Sequence, residues 1–343
     1  MSDYALDIKL FLEKARALPV IDVRSPSEFI HSSVPGAINL PLFTNEERSV
    51  IGTLYLQKGS REAIMKGLDF IGPKMKEFAR EGLAVAPGGE ALMYCWRGGM
   101  RSNSMAWLFN TTGIKTSTLA GGYKSYRHYV LQYFSTPFRL VVIGGLTGSG
   151  KTRILEALES RGEQVIHLER LANHKGSVFG ALEGLPQPSN EFFENCLFTE
   201  MQRLNPNKLI FVEDESLSIG QVFRPRAFYN QMSGACFIQV IVPWETRVEQ
   251  LMNAYAKGDS GVLSECVKRI EKRLGLENAQ LAIDCIRNGN IRQALEIVLK
   301  YYDRIYTRSM GLHNRKTNIE IKTKNENAEI IAEKIKALGG SCW

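Results

Sequence analysis

Two rhythms alternate along this chain. Short apolar runs of the kind buried on both faces of a parallel sheet are separated by stretches with apolar residues at helical spacing. Val20-Ile21-Asp22-Val23-Arg24 reads as a strand, and Ser25-Pro26-Ser27-Glu28 opens a helix with Ser as N-cap, Pro at N1 and Glu at N3. Val34-Pro35-Gly36-Ala37-Ile38-Asn39 is a turn into a short strand. After a Pro87-Gly88-Gly89 break, an apolar strand stops at Cys95, and a helix follows from about Met100 to Thr112. Thr116 to Leu119 is another strand, closed by Gly121-Gly122 before a helix carrying Tyr123, Tyr126 and Tyr129. A second α/β half starts near Thr136-Pro137, with strands at Arg139–Ile143, Leu209–Val212 and Phe237–Val242. Strands alternating with helices predict parallel sheets, in two domains spanning 1–136 and 137–343.

Two loops on this frame carry chemistry. Tyr94-Cys95-Trp96-Arg97-Gly98-Gly99-Met100-Arg101-Ser102 places a cysteine at a strand end, ahead of two glycines and two arginines. Backbone N–H groups of such a loop, above a helix N-terminus, converge on an anion, and the same field favours a thiolate. The sequence therefore predicts a nucleophilic Cys95 in a cradle of Trp96, Arg97, Gly98, Gly99 and Arg101. The second loop runs from Gly145 to Thr152 and fits G-x-x-x-x-G-K-[ST] between a strand and a helix. Its Gly145, Gly148, Ser149 and Gly150 wrap a phosphate with backbone N–H groups, Lys151 adds a point charge, and Thr152 is a Mg²⁺ ligand. Glu213, Asp214 and Glu215, at the end of the next strand, are candidates to hold that metal, Asp214 together with Thr152. Arg247, after the third strand, is a candidate phosphate clamp or the start of a surface helix.

Composition narrows the class. The chain has 343 residues, 44% hydrophobic and 23% charged, as in globular proteins able to bury ordinary cores. No apolar run approaches the ~18 residues of a membrane span, and export is not expected, because Met1 to Asp7 form neither a basic n-region nor an apolar h-region. Six cysteines spread singly suggest neither a disulfide framework nor a CxxC metal site, so a cytoplasmic protein with reduced thiols is expected. Cys196, Cys236, Cys266, Cys285 and Cys342 read as packing residues, Cys342 in a tail. The net charge of +7 is concentrated between Glu265 and Lys324, with thirteen Lys/Arg against seven Asp/Glu. Lys300, Arg304 and Arg308 share one helix face, interleaved with Tyr301, Tyr302 and Tyr306, which suits either RNA or a solvated face over core tyrosines.

The spacing from Cys95 to Arg101 is C-x5-R, the length used by Cys-based phosphatases, and many sulfur-transferring rhodaneses have a loop one residue shorter. A phosphatase needs a general acid, and nothing acidic lies within the loop, although Asp22 or Glu28 could approach from elsewhere. A chalcogen carrier needs none. The loop reads as a chalcogen-transfer site enlarged for a phosphate-bearing donor.

These residues also resemble a known family. Ile21 to Phe29 with Pro35-Gly36-Ala37-Ile38-Asn39 resembles the N-terminal signature of rhodanese domains. The loop Tyr94 to Ser102, fused to a P-loop domain, resembles the bacterial tRNA 2-selenouridine synthases, as do Gly52-Thr53-Leu54-Tyr55, Gly121-Gly122-Tyr123-Lys124, Leu168-Glu169, Asn173 to Gly180, and Val212 to Ser216 with Ile219-Gly220. The resemblance implies an N-terminal rhodanese-like parallel-sheet domain followed by a P-loop NTPase-like α/β domain with a helical C-terminal part. It implies replacement of sulfur by selenium in the wobble 2-thiouridine of tRNA, with selenophosphate as donor and an S-geranyl intermediate made from geranyl diphosphate. Cys95 would then carry selenium, Arg97 and Arg101 would clamp selenophosphate, the P-loop would take the diphosphate, and the basic C-terminal region, including Lys300, Arg304 and Arg308, would hold tRNA. His174 and Lys175 are candidates to touch the diphosphate or the anticodon, or form a mere turn. Implied partners are tRNA and a selenophosphate supplier, without membrane or DNA; no cofactor is expected to be tightly bound, selenophosphate and geranyl diphosphate are co-substrates, and Mg²⁺ is a candidate ion. The alternatives are a rhodanese-type sulfurtransferase and a Cys-based phosphatase, each fused to an ATP-hydrolysing or nucleotide-binding P-loop domain.

Overall fold

The computed structural model describes residues 4–174, 186–255, 259–310, 317–324 and 326–342, without the side chains of 308–310. The chain divides into two compact units, Met1–Tyr133 with Glu194–Cys196, and Phe134–Phe193 with Leu197–Trp343.

In the first unit, β1 (Ala5–Leu6), β2 (Val20–Asp22), β3 (Ile38–Asn39), β4 (Glu90–Tyr94) and β5 (Lys115–Leu119) form a sheet in the order β1-β5-β4-β2-β3. Every pairing is parallel. β4 is central, and its residues Ala91 to Tyr94 are all buried, which explains the unbroken apolar run. Cys95 follows directly, at the carboxyl end of a central strand where α/β sheets place their sites. The expected helix start at Ser25 is present: its N–H donates to Glu28 Oε2 at 3.0 Å, and Pro26 opens the helix Pro26–His31. Between β3 and β4 lie helices Asn45–Lys58, Ser60–Ile71 and Met75–Val85, which the sequence reading did not assign.

In the second unit, β6 (Arg139–Gly144), β7 (Gln164–Ile166), β8 (Leu209–Glu213), β11 (Cys236–Ile241) and β12 (Thr317–Lys322) form a parallel sheet in the order β12-β11-β6-β8-β7. A separate antiparallel pair joins β9 (Ser218–Ile219) to β10 (Val222–Phe223). β6 is central and feeds the Gly145–Thr152 loop, and helix Lys151–Ser160 packs beneath through Ile154, Leu155 and Leu158. Helices Trp244–Tyr255, Ser260–Arg269, Leu276–Arg287 and Ile291–Met310 share a second apolar core built on Val248, Leu263, Val267, Ile283 and Leu295.

The C-terminal part is mostly helical, as expected; after its helices the chain returns once to the sheet as β12, and the helix Ala328–Gly340 then packs on it through Ile331 and Ile335. One expectation about this unit needs correcting. Cys236 and Cys342 are not separate packing residues but form a disulfide across a sequence separation of 106. That return of the chain brings their Cα atoms to 5.9 Å. Cys266 and Cys285 sit in the helical core as expected, and Cys196 is half-buried and outside the disulfide. No helix among the described residues is long and apolar enough to cross a membrane.

Candidate functional site

Cys95 is buried at the mouth of the first sheet, and the Ser102 hydroxyl donates to its sulfur at 3.2 Å. Ser102 belongs to the helix Met100–Thr111, whose first turn lies immediately after the loop, so a donor and the positive helix end both face the sulfur. Two glycines make the loop's path. Gly98 has φ +62°, and a Cβ there would lie 2.4 Å from Leu119 O; Gly122 has φ +59°, and its Cβ would lie 2.3 Å from both Cys95 O and Gly98 N. Tyr123 N–H donates to Cys95 O at 2.8 Å and Lys124 N–H to Trp96 O at 3.0 Å, closing the turn after β5 against the cysteine loop. Backbone is here packed on backbone, with no room for a side chain.

The charged groups nearby have unequal freedom. Arg24 is buried beneath the loop, gripping Asp22 through Nε at 3.0 Å and reaching Ser32 O at 2.6 Å. Its guanidinium lies 3.9 Å from the centre of the Tyr123 ring, and the half-exposed Trp96 packs on the same ring. Arg101, expected as a clamp, donates instead to Glu28 Oε2 at 2.9 Å. Burial pushes the Glu28 carboxyl up, but Arg101, the Ser25 N–H and Arg48 outweigh it and hold Glu28 below its usual value. Arg97 is exposed, with no hydrogen bond or ion pair to the described residues. Neither acid that a phosphatase would need is available: Asp22 is locked to Arg24, and Glu28 is held ionised.

In the second unit, Lys151 Nζ donates to Gly145 O at 3.0 Å, and Gly148 and Gly150 take φ +80° and +79°. A Cβ at Gly148 would lie 3.0 Å from Arg247 O. The buried hydroxyl of Ser149 has no hydrogen-bond partner among the described residues. The acidic strand end is split in its roles. Asp214 Oδ2 accepts from Tyr306 OH at 2.9 Å, and that phenol oxygen accepts from Gly145 N at 2.9 Å, so Asp214 is tied to the start of the loop. Thr152 Oγ1 lies 3.4 Å from Glu169 Oε2 instead. Burial and the neighbouring Glu169 carboxylate push Glu213 up to about 8, against the Glu169 N–H it accepts at 2.7 Å and against Lys151. Burial, Glu169 and Glu213 likewise push Glu215 well up, with Lys151 opposing. Glu169, Glu213 and Glu215 thus form a carboxyl cluster beside Lys151, and Glu169 was missed in the sequence although it stands in the Leu168-Glu169 motif.

Arg247 is not a free clamp. It is buried, with both terminal nitrogens on Asp303 at 2.9 and 2.8 Å and one of them also on Thr147 O at 3.1 Å. Asp303 and Tyr306 come from helix Ile291–Met310, one face of which braces the phosphate loop. Tyr301 and Tyr302 pack on the helical core and Tyr306 serves the loop, so these tyrosines are not an aromatic platform for bases. Lys300 and Arg304 are exposed on that helix; the side chain of Arg308 lies outside the described residues. His174 is half-buried, which lowers its pKa, and Lys175 lies outside the described residues.

Comparison with known proteins matches both units. Residues 138–337 match the tRNA 2-selenouridine synthase AAA domain. The chain belongs to the tRNA 2-selenouridine synthase family. Residues 6–129 of this family member match the rhodanese-like domain. A tRNA 2-selenouridine synthase of Nitrosomonas europaea is 38% identical over 245 residues, 69% of this chain and 63% of that protein. The Sulfurovum sp. enzyme is 33% identical over 84% of this chain and 87% of its own length, and that of Hydrogenovibrio crunogenus 34% identical over 85% and 89%. Against the Nitrosomonas relative the match therefore spans less than two thirds of that protein's length.

Proposed function

We propose that this protein replaces sulfur by selenium in the 2-thiouridine of tRNA, through the two loops acting on two steps. The observation that carries the reading is the buried Cys95 with its Ser102 donor and glycine-packed backbone, on the same chain as a complete phosphate loop. Selenophosphate, a tetrahedral anion, suits a loop of this length, with Arg97 as an exposed cation and Arg101 fixed by Glu28 as a standing positive charge at the rim. Cys95 would stand against the selenium of the bound donor.

Geranyl diphosphate is the proposed ligand of the phosphate loop. The N–H groups around Gly148 and Gly150 and the Lys151 ammonium would bind its diphosphate, and the partnerless Ser149 hydroxyl is a further donor. Attack of the thiocarbonyl sulfur on geranyl C1 forms a C–S bond and releases diphosphate. The resulting thioether leaves from C2 more readily than the original sulfur. The selenium of selenophosphate then attacks C2 and forms the C2–Se bond as geranyl thiolate departs with the C–S electron pair, and water cleaves the P–Se bond, releasing phosphate and leaving 2-selenouridine.

Mg²⁺ fits the residues present, because Thr152 and Glu169 offer hard oxygen donors next to where a diphosphate would lie. Among the described residues no group of three or more His, Cys, Asp or Glu is arranged to hold a metal ion. Mg²⁺ would neutralise charge on the departing diphosphate. The tRNA would approach the exposed Lys300 and Arg304, and a selenophosphate-producing enzyme would supply the donor.

The test is to incubate the protein with 2-thiouridine tRNA, geranyl diphosphate and selenophosphate and to weigh the nucleosides after digestion. Wild type should yield 2-selenouridine, and Cys95→Ala should accumulate the S-geranyl nucleoside. Unchanged 2-thiouridine with the wild-type protein rejects the assignment.

A further inference from the structure

Trp96 stands one residue after Cys95, and nothing in an anion cradle calls for an indole there. Such a cradle is made by backbone N–H groups and cations, and the faces of an aromatic ring add nothing to it. The side chain is nevertheless 38% exposed at the mouth of the site. What lies beneath it is fixed. The indole packs on the Tyr123 ring with 5.7 Å between centroids, tilted by 39°, and lies 5.9 Å from the Arg24 guanidinium. Tyr123 is wholly buried and stacks on Tyr94 at 6.0 Å and on Tyr126 at 5.8 Å. Its hydroxyl donates to Ser32 Oγ at 2.7 Å. Lys124 N–H holds the Trp96 carbonyl at 3.0 Å, so the backbone is tied as well as the ring. An aromatic ring is thus mounted on a buried stack beside Cys95, with little freedom left to lose on binding.

The charges nearby select what this ring can hold. Asp22 is paired with Arg24, and Glu28 with Arg101. Arg97 and Lys124, next to Trp96 in the loop and across its backbone hydrogen bond, are both exposed. An exposed indole beside exposed cations suits a planar ring carried on a phosphate backbone, since the ring stacks and the cations meet the phosphates. An aliphatic chain would gain nothing from the cations, and a lone anion nothing from the indole. The reaction asks for the same thing. An enzyme that acts on a base takes it out of its stack and must hold it elsewhere. Attack at C2 of a pyrimidine comes from above or below the ring plane, so stacking on one face leaves the other open to the donor.

We propose that Trp96 is the stacking site for the wobble base of tRNA. On the reading above, in which 2-thiouridine tRNA is the substrate, the indole holds the base at the cysteine loop while C2 reacts. Trp96 then serves the base rather than the anion.

An anticodon stem–loop RNA with 2-thiouridine at the wobble position is the probe, paired with the same RNA carrying an abasic nucleotide there. Fluorescence anisotropy of the labelled RNAs with the full-length protein, at one fixed salt concentration, gives an affinity for each. Wild type should bind the 2-thiouridine RNA about tenfold more tightly than the abasic one, and Trp96→Leu should bind the two alike. Trp96→Phe, which keeps an aromatic face, should hold the preference within about threefold. A structural role alone would make Trp96→Leu weaken both RNAs by one factor and leave the preference intact, and that result overturns the proposal. So does a preference lost equally in Trp96→Phe and Trp96→Leu, because stacking needs only an aromatic face. A wild type that binds neither RNA, or both equally, overturns it too. A preference lost in Trp96→Leu and kept in Trp96→Phe, combined with no selenium exchange by the wild type, would leave the stacking site standing and reject only the transferase reading.

Discussion

At Glu213 burial and neighbouring charge act in the same direction, and the outcome is measurable. The fold lifts this carboxyl from its ordinary 4.5 to about 8, so the native protein keeps a proton that the unfolded chain has released. Stability contributed by that proton is complete below about 4.5, falls as pH rises through the interval, and is gone above about 8. Glu213→Gln keeps an oxygen for the Glu169 N–H and removes the titration. Thermal melts from pH 5 to pH 9 should show the variant gaining on the wild type as pH rises; parallel curves would refute the shift. At Cys95 the informative neighbours are Ser102 and Gly122, neither of which was singled out from the sequence as a site residue. Ser102 closes the run Tyr94–Ser102, and Gly122 stands in the Gly121-Gly122-Tyr123-Lys124 stretch, but neither run assigns them a role. Ser102 reaches Cys95 from the first turn of the following helix, whereas the role of Gly122 arises from β4 and β5 lying side by side, a parallel pairing with no local signature.

At the scale of elements, the turn after β5 and the cysteine loop behave as one piece. A methyl group at Gly122 would meet Cys95 O and Gly98 N at 2.3 Å, on a residue already at φ +59°. Gly122→Ala should therefore cost about 2–4 kcal/mol in urea unfolding of the first unit. Gly99→Ala is the control, because its Cβ would meet nothing within 4 Å, and it should change stability by less than about 1 kcal/mol. Equal effects of the two would contradict the packing described. In the second unit the long helix Ile291–Met310 braces the phosphate loop from below. Asp303→Ala would leave the buried Arg247 guanidinium without its partner, a loss of about 3–5 kcal/mol. Denaturant unfolding that shows less than about 1 kcal/mol would mean Arg247 is not committed to this pair. Periodicity did show this as a helix. Which face was core and which was site could not be read, since tyrosines suit both an apolar core and an RNA surface.

At the scale of the whole molecule, each unit carries its own candidate anion site. Inorganic pyrophosphate added to the full chain should slow amide hydrogen exchange at residues 145–152 and leave residues 95–101 unchanged, and Lys151→Ala should abolish the protection. Protection at both loops, or at neither, would break the assignment of diphosphate to the second unit.

The sequence by itself determined the α/β class, the family, the two loops and their principal residues, because each rests on local chemistry. A strand, a glycine turn and a helix start are written in consecutive residues, as Leu92 to Ser102 and Arg139 to Thr152 both illustrate. Tertiary structure decided the partners. It committed Arg247 to Asp303, Arg101 to Glu28 and Asp214 to Tyr306, brought Glu169 to Thr152, and joined Cys236 to Cys342. Such pairings depend on which strands and helices lie side by side. The energy of a charge depends on its desolvation and its neighbours, and neither is encoded in adjacent residues.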